Sequence, residues 1–197
     1  MTRLLCSLGL AGSLLMSNAA LANAATGEPA PAFRATDATG ESHTLTDYIG
    51  EWVVLEWFHP DCDAVKNHYD DGQMSALQKE FREQDVKWLT VVSSQPGPDN
   101  VMNSEEAQEA EAEYDMKSST PILLDETGVV ARAYGVEKAP QVFIIDPQGT
   151  LVYTGAPYAN GDEGTGENYL RQALTKAMNG EEVEVTNTQP YGCDVKL

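Results

Sequence analysis

One cysteine sits where an apolar strand gives way to a helix. Cys62 follows the run Trp52-Val53-Val54-Leu55-Glu56-Trp57-Phe58, Pro60 ends that run, and polar helix-forming residues come next. A sulfur at a helix start faces backbone N–H groups, whose partial positive charge favours the thiolate, the form that attacks disulfides and peroxides. Lys66 falls four residues later on the same helical face. His59, three residues earlier, offers a positive charge or a proton acceptor. Asp61 and Asp63 flank the sulfur and oppose a second negative charge. The alternative is a structural cysteine, inert or bonded to Cys193.

Cys193 lies in Pro190-Tyr191-Gly192-Cys193, close to the end of the chain. A mobile tail would bring it to Cys62 as a resolving thiol, attacking a sulfenate or a mixed disulfide and leaving an intramolecular bridge. A permanent staple needs the same geometry, and closing so long a loop is worth about 4–5 kcal/mol in the chain-entropy account. Both readings stay open. His59, Asp61, Cys62, Asp63 and His68 also raise a metal reading, but their spacing fits neither a zinc nor a calcium pattern. One Cys with one or two His is a thin set for copper. His68 and His43 are expected at the surface, and Asn160 to Gly164 is expected as a turn.

The elements that would position these residues are legible from periodicity. Residues 52–58 and 86–92 read as buried strands. Met74, Leu77 and Phe81 recur at helical spacing, predicting a helix over roughly 73–83. Ser104 with Glu105 and Glu106 starts another helix, since acids suit the first turn. Phe33 to Tyr48 predicts a hairpin about Thr39-Gly40, and 95–98 a loop. Strands at 121–124, 141–146 and 151–153, a short helix at 129–134 and a last helix from Tyr169 to Met178, stopped at Gly180, complete the pattern. Residues 156–166 are expected as loop. Strands alternating with helices, then a hairpin and a helix, predict an α/β sheet covered on both faces.

Residues 1–24 have the form of a secretory signal. Arg3 is the basic start, a leucine-rich stretch follows, and Ala22-Asn23-Ala24 is the cleavage pattern. Ser7, Ser13 and Ser17 interrupt the stretch, leaving it short of the roughly 20 apolar residues a bilayer needs. The third cysteine, Cys6, would leave with it. The expected destination is the periplasm or the exterior, where a disulfide persists. Residues 25–32 then form a flexible leader, 33–186 one domain and 187–197 a tail. The net charge of −19 repels phosphate backbones, which argues against nucleic acid as a partner; no later stretch is apolar enough for membrane insertion.

Ala30-Pro31-Ala32-Phe33, Gly40, Leu45-Thr46-Asp47-Tyr48 and the run 52–58 resemble the opening of the redoxin superfamily. That superfamily joins the alkyl hydroperoxide reductase/thiol-specific antioxidant proteins to the thioredoxin-like oxidoreductases. The segment from His59 to Tyr69 is similar to the active-site loop of exported, peroxiredoxin-like members. Ala139-Pro140 before Val142 to Asp146 is similar to the thioredoxin-fold segment at the cis-proline. The resemblance spans the chain after the signal. It implies a thioredoxin-like fold, a central mixed sheet with helices on both faces, and Pro140 as a cis-proline facing Cys62, leaving nearby backbone free to pair with an extended substrate. It also implies a thiol-based oxidoreductase, with peroxide or disulfide as substrate, a thiol reductant as partner and no cofactor.

Two departures qualify the reaction. Val65 and His59 stand three residues after and before Cys62, so no Cys-x-x-Cys exists. His59 and Leu55 also occupy the positions where peroxiredoxins carry Thr or Ser and Pro. Arg132 is the nearest arginine for a thiolate, although an exposed helix position suits it better. The loop likeness inclines the reading toward peroxiredoxin-like chemistry. The alternative is a non-enzymatic binding protein with a structural Cys62–Cys193 bridge or a copper site.

Overall fold

The computed structural model describes residues 24–93, 102–116, 121–161 and 165–197. The signal-like segment up to residue 23, the loop at 95–98 and residues 162–164 of the turn expected at Asn160–Gly164 lie outside the described residues.

The sheet is built around β3 (Val53–Trp57), the apolar run that precedes Cys62. It pairs in parallel with β4 (Lys87–Ser93), which pairs in parallel with β5 (Leu123–Asp125). On its other side β3 pairs antiparallel with β7 (Gln141–Ile145), which pairs antiparallel with β8 (Leu151–Gly155). The hairpin of β1 (Arg34–Asp37) and β2 (Ser42–Thr44) joins the far edge through β5. The order across this seven-stranded mixed sheet is β2-β1-β5-β4-β3-β7-β8.

Alternation assigns each strand residue to one of two cores, because successive side chains point to opposite faces. Val53, Leu55 and Trp57 join Leu89, Val91, Phe143 and Ile145 on one face. There they are covered by the 3-10 turn Leu45–Tyr48 and by α4 (Val129–Tyr134). Val54, Trp88, Val142 and Ile144 face the other way. They pack under α1 (Asp63–Asp70), α2 (Gln73–Arg82), α3 (Ser104–Glu113) and α5 (Tyr169–Met178). The chain therefore has a thioredoxin-like α/β fold with helices on both faces.

Three segments differ from expectation. Residues 25–32 are a fixed strap: Gly27 N–H donates to the Leu151 carbonyl at 2.8 Å, and Ala30 N–H to the Gly149 carbonyl at 2.8 Å. Their backbone finds partners at the β7–β8 turn, which composition does not reveal. The expected loop at 156–166 contains two paired strands, β9 (Tyr158–Asn160) and β10 (Thr165–Asn168).

The C-terminal tail is likewise built into the domain. The Thr186 carbonyl accepts from Thr154 N–H, and Thr188 N–H donates to the Thr154 carbonyl, both at 3.1 Å. Thr188 Oγ1 also lies 2.6 Å from Tyr153 Oη and accepts from Ala156 N–H at 2.8 Å. Gly155 permits this approach, since a Cβ there would stand 2.2 Å from the Thr188 carbonyl oxygen. Beyond this pin, β11 (Cys193–Asp194) pairs antiparallel with β6 (Lys138–Ala139).

Candidate functional site

Cys62 is the N-cap of α1, with extended backbone angles, as its position after the strand predicted. Its N–H donates to the His59 carbonyl at 3.1 Å, and its carbonyl accepts from Lys66 N–H at 2.9 Å. Pro60 and Asp61 form the turn that redirects the chain from β3 into α1. The cysteine is 0 % exposed. Its sulfur is joined to Cys193, with Cα atoms 5.8 Å apart.

The bridge lies against cis-Pro140. The Ala139–Pro140 peptide is cis, and Cys62 Sγ stands 3.3 Å from the Ala139 carbonyl oxygen. A bridged sulfur has no proton to donate, so this is a contact; a reduced thiol would donate there. Ala139 is also the residue opposite Cys193 in the β6–β11 pairing. One backbone residue thus meets both halves of the bridge.

Of the sequence-predicted residues, Cys62, Pro140 and Cys193 converge. His59 and Lys66 are placed beside them mainly through their backbones. His59 Nδ1 accepts from Asp61 N–H at 3.2 Å, within its own turn. Arg132 is exposed on α4 and donates to the Thr127 carbonyl at 2.7 Å, so it serves its own helix start. Cys193 is not on a mobile end: its own strand pairing and the bridge hold it.

The two histidines expected at the surface are both buried, His43 at 8 % and His68 at 0 % exposure. His68, on the inner face of α1, stacks on Tyr158 with ring centroids 5.0 Å apart. Its Nε2 lies 2.7 Å from Tyr191 Oη. Nδ1 has no partner of full hydrogen-bond geometry. Burial lowers its pKa to about 4, outweighing the Gly161 backbone and Asp71, which favour the charged form. His68 is therefore neutral near pH 7 and ties α1 to the tail two residues before Cys193.

His43 sits at the opposite edge of the sheet, its Nε2 2.8 Å from Asp37 Oδ2 and its Nδ1 2.7 Å from Tyr48 Oη. Burial pushes the Asp37 carboxyl up, but hydrogen bonds with His43, Thr39 and Glu41 prevail and hold its pKa at about 2. Asp37, Glu41 and His43 are the convergent acid and histidine group among the described residues. Asp37 and His43 are already spent on hydrogen bonds. The residues of the copper reading do not gather in this way among the described residues.

Glu56 is the charged residue within the apolar run 52–58. It is 0 % exposed and accepts from Tyr69 Oη at 2.8 Å, Gln78 Nε2 at 3.0 Å and Trp88 Nε1 at 2.7 Å. Burial raises its pKa, against the three donors. An acid inside a continuous buried strand is itself the signal of such a satisfied carboxylate. A hollow of about 480 Å³ lined by Tyr69, Lys79 and Tyr114 does not reach the bridge.

The chain is similar to several known proteins. It is 31% identical over 127 residues to the thiol-disulfide oxidoreductase ResA of Geobacillus thermodenitrificans, covering 64% of this chain and 67% of that one. An uncharacterized conserved protein of Geobacillus kaustophilus superposes with a TM-score of 0.76 at 23% identity, over 88% of this chain and 92% of that one. A putative thiol:disulfide interchange protein DsbE of Chlorobium tepidum gives 0.58 at 19% identity, over 79% and 99%. These two likenesses concern the fold. Residues 26–154 match the AhpC/TSA family, a span holding β1 to β8, Cys62 and Pro140, and the chain belongs to that family.

Proposed function

We propose that the protein is an exported thiol–disulfide oxidoreductase that works through Cys62 and Cys193 in place of a Cys-x-x-Cys pair. The observation that carries this reading is the seat of Cys193: an extended strand, paired to Ala139 beside cis-Pro140, bonded to a sulfur at a helix N-terminus. In the reduced protein the Cys62 thiolate attacks a substrate disulfide, and one substrate sulfur leaves with the electron pair. Cys193 then attacks Cys62 Sγ, expels the second substrate thiol and closes the bridge. The substrate gains two electrons, and an external thiol reductant restores the protein. His59 and Lys66 are the nearby groups suited to favour the thiolate, and the ResA relative supports exchange as the reaction. Export rests on the signal pattern of residues 1–24.

Peroxide reduction is the second reading, favoured by the family match. It is disfavoured by His59 and Leu55 at the positions of the peroxiredoxin hydroxyl and proline, and by the engagement of Arg132 elsewhere. The test compares reduced, signal-free protein against a small disulfide and against hydrogen peroxide. Exchange predicts stoichiometric reduction of the disulfide, a trapped adduct on Cys62 in Cys193→Ser, and no reaction in Cys62→Ser. Oxidation by peroxide well ahead of the disulfide establishes the second reading. Turnover unchanged in Cys62→Ser overturns both.

A further inference from the structure

The tail is held by side chains that a disulfide does not require. Tyr191 meets His68 through its hydroxyl, and the two rings lie 5.8 Å apart at 35°. A Cβ on Gly161 would fall 2.1 Å from Tyr191 Cγ. Gly161 has no left-handed φ, unlike most glycines here; its missing side chain makes room for the ring rather than for a turn.

Gly192 is equally confined, since a Cβ there would stand 2.1 Å from the Ala139 carbonyl oxygen and 3.2 Å from Ala64 Cβ. On the other side of the cysteine, Asp194 accepts from Lys138 Nζ at 2.6 Å. The tail bends at Gly192, whose φ of 88° favours glycine, and enters the two-residue strand Cys193–Asp194; it therefore shows four features in order: an aromatic ring, a residue without a side chain, the cysteine and a carboxylate. A fixed part of the body matches each: the His68–Gly161 slot, the Ala139 carbonyl, Cys62 and Lys138.

We propose that this groove is a recognition site for cysteine peptides of the pattern aromatic–glycine–cysteine–acid that bend at the glycine, with the tail as its resident occupant. The proposal rests on the exchange reading and names its substrate class. The Cys62 thiolate attacks the sulfur of the peptide cysteine, and the bond from that cysteine to its leaving thiol breaks. The leaving sulfur departs with the electron pair and takes a proton from solvent. The peptide is then joined to Cys62 in the place Cys193 holds in the bridge. Return of Cys193 to Cys62 expels the peptide as a thiol: the substrate disulfide has gained two electrons and two protons, and the dithiol has lost them. Peptide and tail compete for one groove, so the tail grades substrates by how well they imitate it.

The test uses signal-free chain carrying Cys193→Ser, whose tail still occupies the groove, so every peptide faces the same competitor. Four peptides centred on Tyr-Gly-Cys-Asp, Ala-Gly-Cys-Asp, Tyr-Ala-Cys-Asp and Tyr-Gly-Cys-Lys are prepared as mixed disulfides with one coloured aromatic thiol. Release of that thiol gives the rate, each rate being divided by the same peptide's rate with free glutathione, and intact mass identifies the Cys62 adduct. The expected result is a rate for Tyr-Gly-Cys-Asp about tenfold or more above the Ala variants, a factor equivalent to about 1.4 kcal/mol. A severalfold advantage over Tyr-Gly-Cys-Lys is also expected. Gly161→Ala abolishes the preference for Tyr, and Lys138→Glu reverses the preference between Asp and Lys. Equal normalised rates with the adduct formed overturn the recognition site and leave exchange standing. No adduct from any peptide overturns both.

Discussion

The two buried histidines solve the same problem with opposite kinds of contact. His43 is enclosed by Asp37 and Tyr48, six and five residues away along the chain, in a corner that the β1–β2 hairpin and its following turn complete by themselves. His68 is enclosed by Tyr158 and Tyr191, the latter 123 residues distant. The first corner forms whenever the hairpin forms. The second exists only when α1, the β9 region and the tail have all arrived. The region assembled from distant pieces holds the Cys62–Cys193 bridge, whereas the local corner fastens an edge of the sheet.

The largest test of that contrast is removal of the bridge. Cys62 and Cys193 are 131 residues apart, and losing such a crosslink costs up to about 5 kcal/mol in the chain-entropy account. Denaturant unfolding of Cys193→Ser against oxidised parent measures it. Amide exchange is expected to rise at Asp194 and Val195 while the β1–β2 corner stays protected. A smaller stability loss means that the reduced, unfolded chain retains structure that already restricts it.

Acid is expected to separate the two corners by pH. His68 has its folded pKa lowered from the ordinary 6.5 to about 4, so the unfolded chain binds the proton more readily. Its contribution is complete above pH 6.5 and is lost as pH falls through 4, on the order of 3 kcal/mol. Asp37 is held at about 2 against an ordinary 3.8, so its contribution is present above 3.8 and lost as pH falls through 2. Unfolding midpoints against pH show the two stages, and His68→Gln removes the upper one alone.

Tyr191→Phe is a smaller probe of the distant corner. It leaves buried Nε2 of His68 without its partner, at a cost of about 1–3 kcal/mol, read as a lower denaturation midpoint and faster exchange in the tail. Smallest of all is the Lys138–Asp194 pair, whose aspartate is 76% exposed. Asp194→Asn is expected to leave the denaturation midpoint nearly unchanged, and more nearly so in high salt.

What the sequence disclosed follows the same division between local and distant. β3, β4, α2 and α5 each carry their evidence in their own periodicity, and all appear as predicted. Cys62 was legible because strand, proline and helix start are adjacent in sequence. Pro140 came from a family resemblance, not from its neighbours. The β6–β11 pairing is two residues on each side, too short for any period. His68 looked like an exposed helix residue because its two aromatic partners lie in segments read as loop and tail. Glu56 was hidden by its strand: three donors from α1, α2 and β4 make a buried carboxylate acceptable, and none is near it in sequence.

Thr188 is pinned to β8 five residues before the strand position of Cys193. Its hydrogen bonds to Thr154, Tyr153 and Ala156 would tether the tail if reduction freed the β11 seat beyond it. Fully extended, the stretch from Thr188 to Cys193 reaches roughly 17 Å. A Cys193 released from Cys62 therefore stays within a small tethered volume, with an effective concentration in the millimolar range. On the exchange reading, external thiols must exceed that local concentration to keep the bridge open by mass action alone, and the pin at Thr188 sets how strongly it re-forms.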